Sequence, residues 1–427
     1  MGIRLLFVAG SGGTLPFISA NDRSRWCTIR ALVEEHTYEI DNVITERGWD
    51  TIDKVSHYGR DGEQHYYSSK PTLLPSLLAI DYWLVRAVTG FNLGEHPFIV
   101  GRFLIFVWNA IWLLIFAGVM VAAVERWGTT DWGRIYVMAV ATWGTFLFTF
   151  GVTVNNHLPA AAMAALAFYG FLRIWYDEET GWRMFALTGL AAAFLAANEL
   201  PALAALALFG GLLLLRFPGK TLIAFTPPVL LVAVAFFGTN YLAHETFWPA
   251  YTHRVEGENW EQGNWYNYPG SYWTSDRRSP IDQGEPSVHW YRFHVLLGHH
   301  GIFSLTPVWL LSAVGCWWLA ERRGQWMAAL VIAALATICL VFFIQLRPVQ
   351  DRNYGGATCG FRWMFWQIPL WLVALIPVAD QLSTSRWGRR LAWVLFGISA
   401  FSAAWGWFRP WMHPWVYVVG GWWEGWT

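Results

Sequence analysis

The chain has 427 residues, of which 55% are hydrophobic and only 14% charged, with 29 basic and 29 acidic side chains and a mean hydropathy of +0.33. A soluble domain carries about 25% charged residues, so the composition excludes an ordinary soluble globule, and a formal net charge of +0 speaks against a nucleic-acid partner. The charges cluster between long, nearly bare apolar runs, and many of the 31 Trp stand at the ends of those runs, where an amphipathic ring sits at headgroup level.

In chain order, the first run covers residues 3–20 and holds Gly10, Gly12, Gly13 and Pro16. With further spans behind it, it reads as a signal-anchor or first span rather than a cleaved leader. Residues 21–70 are polar. Residues 71–90 are apolar but interrupted by Pro75, Asp81 and Arg86, which suits an interfacial helix. Spans then follow over 97–124, 135–154, 158–174, 184–197, 200–215 and 222–241, and, after a long polar loop, over 302–319, 327–344, 364–378 and 391–405. With the first run this predicts about eleven transmembrane helices. The fold class is an all-α polytopic membrane protein, a single membrane domain over residues 1–427 with interfacial helices in its first long loop.

Alternate short connections carry Lys or Arg: Arg126 to Arg134, Arg173 to Arg183, Arg216 to Lys220, Arg322-Arg323, and Arg386 to Arg390. The intervening turns, Asn155-Asn156-His157 and Asn198-Glu199, carry none. Positively charged connections mark the cytoplasmic side. The expected topology therefore has a cytoplasmic amino terminus, an outer carboxyl terminus, and outer loops at 21–90, 243–301 and 347–362. The alternation holds only if residues 71–90 do not cross.

The outer face collects the residues able to carry chemistry. Asp22, beside Arg23, Arg25 and Trp26, is a general base or a helix cap. Lys70, before Pro71, is a phosphate-binding charge or a snorkelling lysine. Glu199, in Asn-Glu-Leu-Pro, is an acid at membrane depth or part of a turn. His157 is a proton relay or a solvated turn residue, and Asn156 adjoins it. Arg362 follows a glycine-rich stretch and is placed to grip a phosphate or to anchor the interface. His294, His299 and His300 support a metal site weakly, because adjacent histidines do not face one way on a helix; no metal ligands are assigned. Cys27 and Cys359 fall on the same predicted face, where a disulfide between them is open.

Three segments together resemble the GT-C membrane glycosyltransferases, the superfamily that includes protein O-mannosyltransferases and lipid A aminoarabinose transferases. They are Asn21-Asp22-Arg23-Ser24-Arg25-Trp26, then Tyr66-Tyr67-Ser68-Ser69-Lys70-Pro71-Thr72-Leu73, and Tyr354-Gly355-Gly356 through Gly360-Phe361-Arg362. The stretch Gly301-Ile302-Phe303-Ser304-Leu305-Thr306-Pro307 is similar to another recurrent family stretch. The chain departs from the pattern at Thr72, where the family has a second proline, and at Phe361, where it often has Pro; a paired Asp-Asp is lacking. The resemblance implies an inverting transfer of a sugar from a polyprenyl-phosphate donor, on the outer face of a bacterial inner membrane, to an acceptor it does not identify. In that frame Asp22 is the base, Lys70 and Arg362 hold the donor phosphate, and Tyr67 hydrogen-bonds phosphate or sugar. A divalent metal is required by some members and not by others. The alternative is a non-catalytic subunit of a larger complex with a transferase-like fold; a transporter finds less support, since no repeat or broken-helix pair is visible.

Overall fold

The computed structural model describes residues 1–10, 13–255, 259–276, 278–322 and 324–421; Gly12 and Arg323 thus lie outside the described residues. The chain is 67% helical. Among the described residues five helices are long and apolar enough to cross a membrane: Pro97–Trp127, His157–Tyr176, Pro218–His244, Trp326–Gln345 and Arg362–Ser383. Several expected spans fold into shorter pieces. Among its described residues the first run has one helix ending within it, Gly2–Phe7, about 9 Å at 1.5 Å per residue, against roughly 30 Å of hydrocarbon. The 135–154 run forms helix Asp131–Trp143 and a separate turn at Thr149–Val152. The 302–319 run is split at Pro307 into Ile302–Leu305 and Trp309–Glu321, as proline dictates.

The chain forms two compact units. The first comprises Met1–Ala110, Gly151–Asn156 and Leu231–Arg278. Its framework is helix Ala20–Glu34, opened by Ser19, whose hydroxyl accepts from the Asp22 amide at 3.0 Å. Helix Leu73–Thr89 is tied to it by Tyr82, which donates to Glu34 at 2.5 Å, and by Arg86, which donates to the Val33 carbonyl at 2.9 Å. It closes at Gly90 with φ 74°, the left-handed cap that glycine provides. The polar stretch between these helices holds an element missed in the sequence: an antiparallel hairpin of β1 (Lys54–Tyr58) and β2 (Gln64–Ser68), pairing Val55 with Tyr67. Val55 and Tyr67 bury one face of it against Ala250, Trp265 and Tyr266.

The second unit comprises Ile111–Phe150, His157–Leu230 and Ser279–Thr427. Its centre is helix His157–Tyr176, whose Ala160, Ala161, Ala162, Ala164 and Ala167 are wholly buried. Between helices in lipid, small residues permit the close approach that packing needs. An added Cβ at Gly170 would lie 2.2 Å from the Thr188 hydroxyl, at Gly189 2.3 Å from the Phe225 carbonyl, and at Gly315 1.8 Å from the Ala374 carbonyl.

At one end of this unit the Lys/Arg-bearing connections meet. Arg126 pairs with Asp177 at 2.8 Å. Arg216 donates to the Trp175 carbonyl and Lys220 to the Thr180 carbonyl, both at 2.7 Å. The Tyr176 hydroxyl accepts from the Ala328 amide at 2.9 Å, and Asp380 accepts from the Thr129 and Thr130 amides at 2.8 and 2.9 Å. His157 starts the 20-residue helix that ends at this cluster, so it stands about 30 Å away. Within this unit the charge alternation read from the sequence is therefore a physical sorting of the two ends.

Gly315→Ala should destabilise the protein by at least about 2 kcal/mol, because the Ala374 backbone cannot yield as a side chain could. Gly211→Ala, in helix Leu203–Arg216 with nothing within 4 Å, should be neutral or stabilising by up to about 1 kcal/mol. Melting of the two variants in detergent checks the contrast.

Candidate functional site

At the end of the second unit away from the basic cluster, three residues singled out from the sequence form one hydrogen-bonded chain. Arg362 Nη1 lies 2.9 Å from His157 Nε2, and His157 Nδ1 lies 2.5 Å from Glu199 Oε1. A guanidinium has no acceptor, so Nε2 accepts and Nδ1 carries the proton that it donates to Glu199. His157 is 1% and Glu199 7% exposed at the side chain. The result is a half-buried cation and a buried carboxylate joined through a neutral, buried imidazole.

Local chain geometry sets up Arg362. Tyr354, Gly355 and Gly356 all have left-handed backbone, at φ 57°, 91° and 78°. Glycine adopts this at little cost, and the turn aims the Gly355 carbonyl at the guanidinium. That carbonyl accepts from Arg362 Nε at 3.1 Å and Nη2 at 3.0 Å. The Trp411 ring lies 4.9 Å beneath the guanidinium carbon, a stacking contact suited to a planar cation. The glycine-rich motif is thus a loop closed on its own arginine.

Asp22 belongs to the first unit. It stands inside the first turn of helix Ala20–Glu34, with Ser19 rather than Asp22 as the cap. Its carboxylate accepts from the Ile18 amide at 3.3 Å and the Val154 amide at 3.2 Å, and from the Thr153 hydroxyl. It is 0% exposed. Burial pushes its carboxyl up to about 6, against the pull of the Thr153 hydroxyl, the Ile18 and Val154 amides and Arg25. Asn156 lies in the same strip of chain, accepting from Arg25 Nη2 at 2.8 Å, while Arg25 also holds the Asn21 carbonyl at 3.0 Å. Asn109 completes the clamp, donating to the Gly151 and Thr153 carbonyls at 2.9 and 3.0 Å. Asn109 and Thr153 were missed in the sequence, whereas Arg25 was named there beside Asp22. A lone Asn inside the apolar run 97–124 was the available signal.

Lys70 and Tyr67, three residues apart, meet different acids. Lys70 Nζ pairs with Asp53 at 2.9 Å. Tyr67, on β2, is buried with its ring 4.1 Å from and parallel to His57, and its hydroxyl donates to Glu39 at 3.5 Å. His57 donates from Nδ1 to the Tyr58 carbonyl at 2.8 Å, and its Nε2 meets His244 Nδ1 at 3.0 Å. Burial lowers His57 to about 4, so it stays neutral.

The expectation that His299 and His300 point apart is corrected. They lie in the turn before helix Ile302–Leu305, not on a helix, and their Nδ1 atoms approach to 2.5 Å. His294 stacks on His299 at 3.9 Å, and burial lowers His294 to about 4 and His299 to about 2. Among the described residues, the His, Cys, Asp and Glu side chains that converge closely enough to hold an ion are Glu39, Asp41 and His65. There His65 Nδ1 is 3.2 Å from Asp41 and its Nε2 is 2.9 Å from Asp61, so the imidazole bridges the two carboxylates. Those neighbours raise its pKa against the effect of burial. All four cysteines are free thiols, so Cys27 and Cys359 form no disulfide.

The architecture defines a predominantly helical protein with several helices fit for a bilayer. No family model and no curated protein matches the chain.

Glu199→Ala removes the carboxylate that accepts from the buried His157 Nδ1 and should cost about 2 kcal/mol of stability. Glu199→Gln keeps an acceptor for His157 and should cost less than half of that. Thermal unfolding of both variants at neutral pH measures the difference.

Proposed function

We propose that the chain is a membrane glycosyltransferase of GT-C type, moving a sugar from a polyprenyl-phosphate donor to an acceptor on the outer face of a bacterial inner membrane. The observation that carries this reading is the Arg362 loop: a guanidinium fixed by Gly355, His157 and Trp411 at the end of its unit opposite the basic connections. In an inverting transfer the acceptor hydroxyl attacks the anomeric carbon, a base takes its proton, and the lipid phosphate departs with the bonding electrons. The greatest need is a preorganised cation for the phosphate, and Arg362 fills that role, with Lys70 as a second cation released from Asp53 when donor binds. Asp22 is the proposed base, and Tyr67 a hydrogen-bonding partner of the donor. The proposal includes the orientation with a cytoplasmic amino terminus and an outer carboxyl terminus, and about eleven membrane-associated runs.

One observation favours the second reading, a non-catalytic subunit of a larger assembly. Asp22 is wholly buried, with both carboxylate oxygens engaged by backbone amides, which suits a structural clamp. Transfer assays with a polyprenyl-phosphate sugar in membranes decide between the two. As a base, Asp22 is ionised above about pH 6, so kcat/KM should fall tenfold per pH unit below that value and level off above it. Asp22→Asn should then remove activity and leave a folded, monodisperse protein. Arg362→Lys, which loses the planar fork, should lower kcat by at least tenfold, and Arg362→Ala by about 100-fold or more. Activity unchanged by both Asp22→Asn and Arg362→Ala would leave the subunit reading.

A further inference from the structure

The second unit holds a pocket of about 500 Å³ at its basic end, far along helix His157–Tyr176 from the Arg362 loop. Its polar lining includes Arg126, Arg322, Gln325 and Asp177, and its apolar wall is built from residues such as Leu172 and Ile376. The pocket thus has two chemistries. The apolar side belongs to helices His157–Tyr176 and Arg362–Ser383, both suited to hydrocarbon. The polar side belongs to connections rich in arginine.

The charge count is positive. The charged lining is Arg126, Arg322 and Asp177, with Asp177 paired to Arg126 at 2.8 Å, which leaves one net positive charge; Arg173, outside the lining, is shared between Asp177 at 2.7 Å and Glu179 at 3.8 Å. Arg126 holds the Asp177 carboxyl below its ordinary value, so it stays ionised. Arg322 is exposed and makes no side-chain hydrogen bond or ion pair with any other described residue. Tyr176 and Trp127 also line the pocket, and such rings prefer the level of lipid headgroups. A cavity of this size is in the range that encloses a small ligand. Basic pockets between membrane helices on the Lys/Arg-rich side suit anionic lipid headgroups, and the leaflet on that side is the anionic one.

We propose that this pocket binds the phosphate headgroup of an anionic glycerophospholipid, with Arg322 and Arg126 on the phosphate and an acyl chain along Leu172 and Ile376. The site is separate from the proposed transfer chemistry and stands whether or not the chain is an enzyme.

The test uses the full-length protein and native mass spectrometry, with phosphatidylglycerol, phosphatidylcholine and tail-less glycerol phosphate as probes. Phosphatidylglycerol should bind at least tenfold more tightly than phosphatidylcholine, and glycerol phosphate should not compete at equal concentration. Arg322→Ala removes a charged donor that has no partner among the described residues and should weaken phosphatidylglycerol about tenfold or more. Ile376→Trp fills the apolar side and should weaken it similarly, with the melting temperature checked for both variants. Equal retention of the two lipids, or phosphatidylglycerol binding unchanged in Arg322→Ala, would overturn the proposal. Competition by glycerol phosphate as strong as by the lipid would assign the pocket to a free phosphate and overturn the lipid assignment.

Discussion

A helix buried along its length can leave polar groups only at its ends, and each end must then find partners. Helix His157–Tyr176 is such a helix, lined with alanine and closed in by neighbours. At its first residue the polar group is an imidazole, satisfied by Glu199 on one nitrogen and Arg362 on the other. At its last turn Arg173 pairs with Asp177 and the Tyr176 hydroxyl accepts from the Ala328 amide. Because unpaired polar groups in an apolar interior cost several kcal/mol each, both ends recruit the connections of surrounding helices. The same constraint thus produces a candidate site at one end and a basic cluster at the other.

That logic explains which parts of the molecule were readable in the sequence. Long apolar runs follow from composition, and helices Pro97–Trp127, His157–Tyr176 and Trp326–Gln345 fall close to the expected limits. The sorting of Lys and Arg was readable because charge in short connections does not depend on packing. Glu199, His157 and Arg362 stood out because ionisable residues between apolar runs are costly, and the second unit joins them. What depended on a partner far along the chain was not readable. The hairpin Lys54–Ser68 carries a weak signal, alternating Val55, His57 and Tyr67 around Asp61-Gly62, and it was hidden by the charge of the stretch. Its reason to exist is Trp265 and Tyr266, roughly two hundred residues away. The pairing of His299 with His300 was missed for another reason: a rule for helices does not apply in a turn that begins at Gly298.

Asp22 shows how little residue type alone can decide. A carboxylate in the first turn of a helix gains from the local dipole, and this one has amide and hydroxyl donors as well. In water these would hold it below its ordinary pKa. Complete burial outweighs them and leaves the group near 6. Such a value is useful to a base working near neutrality, because the carboxylate is ionised yet still basic. Burial also imposes the opposite requirement. Three donors leave one lone-pair site on this carboxylate, but it is wholly buried, so a substrate hydroxyl reaches it only if one of the segments covering it moves. Ile18, whose amide donates at 3.3 Å, lies in the segment just before the cap at Ser19, outside regular structure. The Val154 bond is harder to surrender, because Asn109 and Arg25 hold the surrounding strip independently. If the group acts as a base, opening is therefore expected on the Ile18 side. If it acts as a clamp, both bonds persist together. The two roles of Asp22 differ in whether the Ile18 amide is released, and amide hydrogen exchange at that one position reports on it directly.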